Sequence, residues 1–145
     1  MSDLTIVLIL GQRKEFFHYV FRWISYAEKN YNQYKIIIAD GSGNKEVEKK
    51  LFSEKNNKLD YSYYKYPIDE TYSSYYSKLD DAIDKVKTEF TVLADDDDFF
   101  NHNSLDKSIK FLKDNNDYST SRGKIGNFNL KSDFSLNTFH IPKNQ

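Results

Sequence analysis

Cysteine is absent from the 145 residues, which excludes a disulfide framework and thiolate metal sites. A surplus of positive charge is absent as well. The 21 basic residues stand against 22 acidic ones, so the chain carries no basic footprint for nucleic acid. Long hydrophobic runs are missing too: Ile6 to Leu10 is far shorter than the roughly 20 apolar residues a membrane helix takes. The N-terminus also lacks the apolar stretch of a signal peptide. These absences set the expectation of a soluble cytoplasmic protein with no transmembrane segment and no nucleic-acid partner. Proline is scarce (two residues) while tyrosine and phenylalanine abound (12 and 11). With the many Lys and Asn residues, that skew reflects genome base composition as readily as function and carries no weight. The length suits one domain, able to bury about 68–70% of its unfolded surface.

What is present is acid in one place. Asp95-Asp96-Asp97-Asp98 follows Phe90-Thr91-Val92-Leu93-Ala94, an apolar stretch that reads as a short buried strand. Two unit charges about 4 Å apart repel by roughly 1 kcal/mol in water and about 4 kcal/mol at an effective dielectric of 20. Four neighbouring carboxylates therefore call for a cation or for donor groups. Oxygen-only ligands suit hard divalent ions, and Mg²⁺ typically combines one or two carboxylates with substrate phosphates. A metal–diphosphate site is the functional reading; a solvated acidic turn is the plain one.

The rest of the chain alternates strand and helix. Leu4 to Leu10 is a continuous β-rich run of the kind a central parallel strand shows, ended by Gly11. From Glu15 to about Lys29, Phe17, Val20, Phe21, Ile24 and Ala27 recur at helical spacing. Lys35 to Ala39 reads as a second strand, stopped by Asp40-Gly41-Ser42-Gly43, and a short helix from about Lys45 to Phe52 follows. Tyr61 to Tyr66 is a weaker strand closed by Pro67. Tyr75 to Lys87 is a helix carrying Leu79, Ala82, Ile83 and Val86 on one face, with charges on the other. After the acidic run, Asn103 or Ser104 caps another helix with Leu105, Ser108, Ile109 and Leu112 in register. Beyond Asp117 the signal fades into turns and scattered apolar residues, with length for one or two strands. No repeat and no linker appears.

Such alternation implies an α/β fold with a mostly parallel sheet and flanking helices. These sheets bind ligands outside the carboxyl ends of their strands. Three polar clusters fall at such ends: Gly11-Gln12-Arg13, Asp40-Gly41-Ser42 and Asp95 to Asp98. Their convergence on one crevice weighs more than any single motif.

With these clusters in place, residues 4 to about 130 resemble the Rossmann-like nucleotide-binding half of a family 2 glycosyltransferase of the GT-A fold. The first strand with Gly11-Gln12-Arg13 is similar to that family's strand and Asn-Arg turn, with Gln12 where Asn is usual. Ile36 to Ser42 resembles its second strand and Asp-Gly-Ser turn. Val92 to Phe99, continuing to Asn103-Ser104-Leu105, resembles its strand, DxD motif and next helix start. Lys78-Leu79 through Thr88 is similar to a smaller bacterial subgroup.

The resemblance implies a transferase that takes a nucleoside-diphosphate sugar, UDP-linked for instance, with Mn²⁺ or Mg²⁺ as cofactor. Asp40 would accept a hydrogen bond from the base, and Asp95 would face the ribose or help hold the metal. Asp97 would ligate the ion bridging the diphosphate, with Arg13 and Lys78 near the nucleotide. The nucleotide's surroundings so implied are Gly11, Arg13, Asp40, Gly41, Lys78, Asp95 and Asp96; the metal pair is Asp95 and Asp97. Four acids in a row leave Asp96 and Asp98 as the other register. The acceptor would be a carbohydrate, such as a bacterial polysaccharide, or a lipid-linked sugar, which suits a position at the inner face of the membrane. The family's acceptor-binding half normally follows the DxD region, and only Asn101 to Gln145 remain here. The expectation is therefore a single GT-A-like domain that lacks most of that half. No general base is identified, and a catalytically incomplete nucleotide-sugar-binding or interaction module is the alternative.

Plainer readings stand beside each residue. Asp40 before glycine suits a turn, and Gly41-Ser42-Gly43 lacks the spacing of a phosphate loop. Lys78 suits a solvated helix face, Arg13 a cap, and His102 and His140 the surface. Tyr72, Tyr75 and Tyr76 suit packing as well as stacking on a base or sugar. Other acid-rich classes fit worse. A receiver domain and a haloacid-type phosphatase both need acid after the first strand, and an EF-hand loop needs Gly and Glu where Phe99-Phe100 intervene.

Overall fold

The computed structural model describes residues 3–12, 17–53, 59–131 and 135–141. Arg13, and with it the expected helix start at Glu15, lies outside the described residues. The chain divides into two compact units, Met1–His102 and Asn103–Gln145.

The first unit is built on a four-stranded sheet. β1 (Leu4–Leu10) is buried along its whole length, and β2 (Lys35–Asp40) from Ile36 onward. β3 (Tyr61–Lys65) and β4 (Phe90–Asp95) flank them in the order β3-β2-β1-β4. All three pairings are parallel, with Leu10 opposite Asp40, Asp40 opposite Lys65, and Ile9 opposite Asp95. Every carboxyl end therefore lies on one edge. The chain steps outward from β1 to β3, then crosses back to β4 on the far side of β1. Strand order reverses between β1 and β4, where sheets of this kind open a crevice.

Helices α1 (Phe17–Asn30), α2 (Lys45–Ser53) and α3 (Tyr72–Asp84) connect the strands. Successive strand residues face opposite sides. Val7, Ile9, Ile37 and Ala39 pack with Ala82, Leu79 and Tyr75 of α3 on one face. On the other, Ile6, Leu8, Ile36 and Ile38 are buried; so are Val20, Trp23 and Ala27 of α1, and Val47 and Leu51 of α2. Trp23 lies off the predicted α1 stripe yet is fully buried, whereas Phe21 and Ile24 are half-buried.

Two boundaries differ from the hydrophobic pattern for local reasons. α3 begins at Tyr72 because Thr71 caps it: the Ser74 N–H donates to Thr71 Oγ1 (3.2 Å) and the Thr71 N–H to Ser74 Oγ (3.1 Å). It ends at Asp84, short of Lys87, and Ile83 is partly exposed. α2 is capped by Asn44, whose Oδ1 accepts the Glu46 and Val47 amides.

The second unit holds α4 (His102–Asp114), all but its first residue, and an antiparallel hairpin of β5 (Asn127–Leu130) and β6 (Leu136–His140). Phe111 meets Tyr118 edge-on at 5.2 Å, and the Asn115 amide bonds the Phe111 carbonyl. Among the described residues no helix is long and apolar enough to cross a membrane.

Candidate functional site

The carboxyl edge of the sheet is laced by backbone hydrogen bonds between the turns that leave it. The Gly41 N–H donates to the Leu10 carbonyl (2.9 Å), Tyr66 N–H to Asp40 (2.8 Å) and Asp69 N–H to Gly41 (3.1 Å). The turns after β1, β2 and β3 thus form one surface.

Asp40 sits inside that surface, 3% exposed. Its Oδ1 accepts the Ser42 N–H at 2.8 Å, closing the turn, and its Oδ2 accepts the Tyr63 hydroxyl at 2.6 Å. Burial and this bond push the Tyr63 phenol well above its ordinary value. Both Asp40 oxygens are thus engaged within the protein, each with lone pairs to spare.

Lys78 departs from the solvated position its charged helix suggested. Its ammonium is buried, donating to the Leu10 carbonyl at 2.8 Å and to Asp69 Oδ2 in an ion pair. It also lies 5.2 Å from the centre of the Tyr75 ring. A lysine buried this deeply needs such partners, because desolvating an unpaired charge is prohibitive.

Asp69 is the residue the sequence reading missed. It follows β3 and lies against the turns after β1 and β2. A Cβ on Gly41 would come within 2.6–2.8 Å of its carboxylate, so only glycine admits this close approach. Its second oxygen, Oδ1, is buried and has no hydrogen-bond partner among the described residues. Asp69 lines a cavity of about 410 Å³ with Gly11, Gln12, Thr71, Tyr72, Tyr75 and Tyr76, a size within the range of small-molecule sites. The signal was available. Ligands gather at the carboxyl ends of parallel strands, and the exit of the third strand, like those of the first, second and fourth, carries polar residues, this acid among them.

The acidic run leaves β4 as a turn closed by the Asp98 N–H on the Asp95 carbonyl (3.1 Å). Asp95 pairs with Ile9 and so faces the α3 side of the sheet. Tyr75 registers it there. Burial first, then the charges of Asp95, Tyr76 and Asp69, raise the Tyr75 phenol above its ordinary value. Asp69 and Asp95, far apart in sequence, thus act on one tyrosine of the cavity wall. Asp95 and Asp97 are exposed, whereas Asp96 is buried at 7%.

Among the described residues no group of three or more His, Asp or Glu side chains converges as a ready-made metal cage. A hard divalent ion that takes one or two carboxylates and completes its shell with phosphate and water needs no such cage. The oxygen-only donor set of this turn fits an ion of that kind.

No protein-family model matches the chain, and no curated protein matches it. Solved structures do. The crystal structure of S. aureus TarS 1–349 matches over 80% of this chain and 33% of its own, at 12% identity and a TM-score of 0.57. The crystal structure of the same protein in complex with UDP-GlcNAc matches over 80% and 32%, at 14% identity and a TM-score of 0.59. What the likeness shows is the fold, a mostly parallel sheet with flanking helices. The chain spans about a third of the length of these structures.

Proposed function

We propose that this chain binds a nucleoside-diphosphate sugar at the carboxyl edge of its sheet, as the donor site of a family 2-like glycosyltransferase. The carrying observation is the cavity at that edge, where Asp69 lies among Gly11, Gln12 and the tyrosines of α3. The unsatisfied Asp69 Oδ1 supplies an acceptor there for a donor N–H or O–H. Gly11 lines the same cavity, and Gly41 and Lys78 lie against Asp69. The likeness to a structure in complex with UDP-GlcNAc supports a uridine diphosphate sugar.

Asp95 and Asp97 would hold Mn²⁺ or Mg²⁺ from the exposed side of the turn. The burial of Asp96 favours that register over Asp96 and Asp98. When bound, such an ion supplies Lewis-acid stabilisation of the departing diphosphate, typically several kcal/mol. The chain's own part is to present two carboxylates from a fixed backbone and to seat the nucleotide against the tyrosines of α3. The acceptor in this reading is a carbohydrate or lipid-linked sugar.

Calorimetric titration with UDP-GlcNAc, with and without Mn²⁺, tests the proposal. Metal-dependent binding in the micromolar-to-millimolar range is expected, lost in D97N. Absence of metal-dependent binding to any UDP or GDP sugar would overturn it. Binding accompanied by slow sugar-nucleotide hydrolysis marks a working transferase, whereas binding alone marks a donor-binding module.

A further inference from the structure

The acidic turn is held by side chains from α1 and from Tyr31, the residue that follows it. Residues 96–101 form neither helix nor strand, so their backbone groups need outside partners. The Trp23 indole N–H donates to the Asp98 carbonyl at 3.0 Å. The Tyr31 hydroxyl accepts the Phe100 N–H at 2.5 Å and donates to the Phe100 carbonyl at 2.8 Å. The Tyr26 hydroxyl donates to that same carbonyl at 3.1 Å. The rings also pack together: Tyr26 is edge-on to Phe99 at 5.1 Å and to Tyr31 at 5.3 Å, and Trp23 lies 5.7 Å from Tyr31.

A tryptophan or tyrosine used only to fill a core needs no partner so far along the chain. Here three polar tips reach 69 to 75 residues forward: one ends on Asp98, the last of the four acids, and two on Phe100, two residues beyond it. Trp23 and Tyr31 are wholly buried, which makes their geometry rigid. On its other side the turn is fixed by the pairing of β4 with β1 through Asp95. The run of like charges is therefore clamped at both ends against its own tendency to splay.

We propose that Trp23, Tyr26 and Tyr31 are positioning residues for the cation site: they set the backbone from which Asp95 and Asp97 reach the metal and the diphosphate. The inference rests on the donor-site reading above. The aromatic cage pre-organises the carboxylates, so that binding needs little rearrangement of the turn. Outer partners of metal ligands commonly change affinity 10–100-fold when removed, and this cage acts on the ligands' backbone in the same way.

The test measures Mn²⁺ affinity in the presence of UDP, from the EPR signal of free Mn²⁺, for wild type, W23F, Y31F and Y26F. Thr88→Val serves as the control. It removes the Thr5–Thr88 hydrogen bond (2.7 Å), which lies just before β4 at the opposite edge of the sheet. Folding is verified by circular dichroism, and Y26F, at a half-buried position, keeps the test open if a core variant unfolds. The expected result is at least tenfold weaker Mn²⁺ binding in the folded cage variants and unchanged binding in T88V. A second readout needs no metal: hydrogen exchange at the Phe100 amide should accelerate in Y31F. Wild-type affinity in folded Y31F, W23F and Y26F would overturn the proposal while leaving the donor site intact. No Mn²⁺ binding by wild type would overturn both.

Discussion

Lys78 and Asp69 form an ion pair that water hardly reaches, their side chains 1% and 7% exposed. The pair joins α3 to the exit of β3 and, through the Leu10 carbonyl, to the end of β1. Desolvating two charges costs several kcal/mol per ion, and their attraction offsets this only where geometry and further hydrogen bonds are good. Lys78 has such support. Asp69 spends one oxygen on the pair, and the other has no hydrogen-bond partner among the described residues.

Removing one partner strands the other charge. K78M should destabilise the protein by about 3–5 kcal/mol, measured by urea denaturation. The double variant K78M/D69L should recover most of that loss, because the buried charge goes with its partner. If K78M unfolds at the wild-type midpoint, the pair is not buried as described.

Gly41→Ala tests the seat of Asp69. The added Cβ would lie 2.6–2.8 Å from three atoms of a carboxylate that Lys78 holds in place. Overpacking of this kind costs about 1–3 kcal/mol. The variant should lose stability in that range and, on the donor-site proposal, bind the sugar nucleotide more weakly, as calorimetry would show. Gly123→Ala, where a Cβ meets nothing within 4 Å, should change neither.

How much of this was legible follows from how each feature is encoded. The order of strands and helices was readable because burial imposes its period on the residues: Leu4 to Leu10 is apolar but for Thr5 because both faces of β1 are covered. The shared edge of Asp40 and Asp95 followed from topology, since parallel strands put both at the same end of the sheet. The environment of Lys78 was not legible. On α3 it stands one residue before Leu79, and its burial depends on Asp69, which only the folded turn after β3 brings near. Trp23 shows the same limit. Its place off the stripe makes sense only once the Asp98 carbonyl is beside it. Pairwise partners distant in sequence leave no periodic trace, so they appear only in three dimensions.

Tyr63→Phe removes the hydroxyl that donates to Asp40 Oδ2 at 2.6 Å. Hydrogen bonds to charged groups contribute about 1.5–3 kcal/mol, and Asp40 is too buried for water to substitute freely. A loss in that range is expected by thermal or urea unfolding. The Asp40 turn should loosen as well, seen as faster exchange of the Ser42 amide, which bonds Asp40 Oδ1. A neutral result would mean that Tyr63 and Asp40 do not share this proton.

Alkaline pH should unfold the protein cooperatively, and the tyrosines give the sign. Burial chiefly raises Tyr31, Tyr63 and Tyr66 above the ordinary phenol value of 10.0, and contacts with Asp40 and Asp81 add to the rise at Tyr63 and Tyr66. A raised value means that the native state keeps the proton after the unfolded chain has released it. Deprotonation thus favours unfolding, and stability present below about pH 10 falls as pH rises beyond it. Each such group contributes up to one proton to the slope, so three acting together make the fall steep. The tyrosinate absorbance of Tyr31, Tyr63 and Tyr66 should then rise together with the far-ultraviolet circular dichroism transition. In Y63F, which lacks one of these groups, stability should decline less steeply with pH above 10. An identical slope in Y63F and wild type would show that Tyr63 is not held protonated by burial and Asp40.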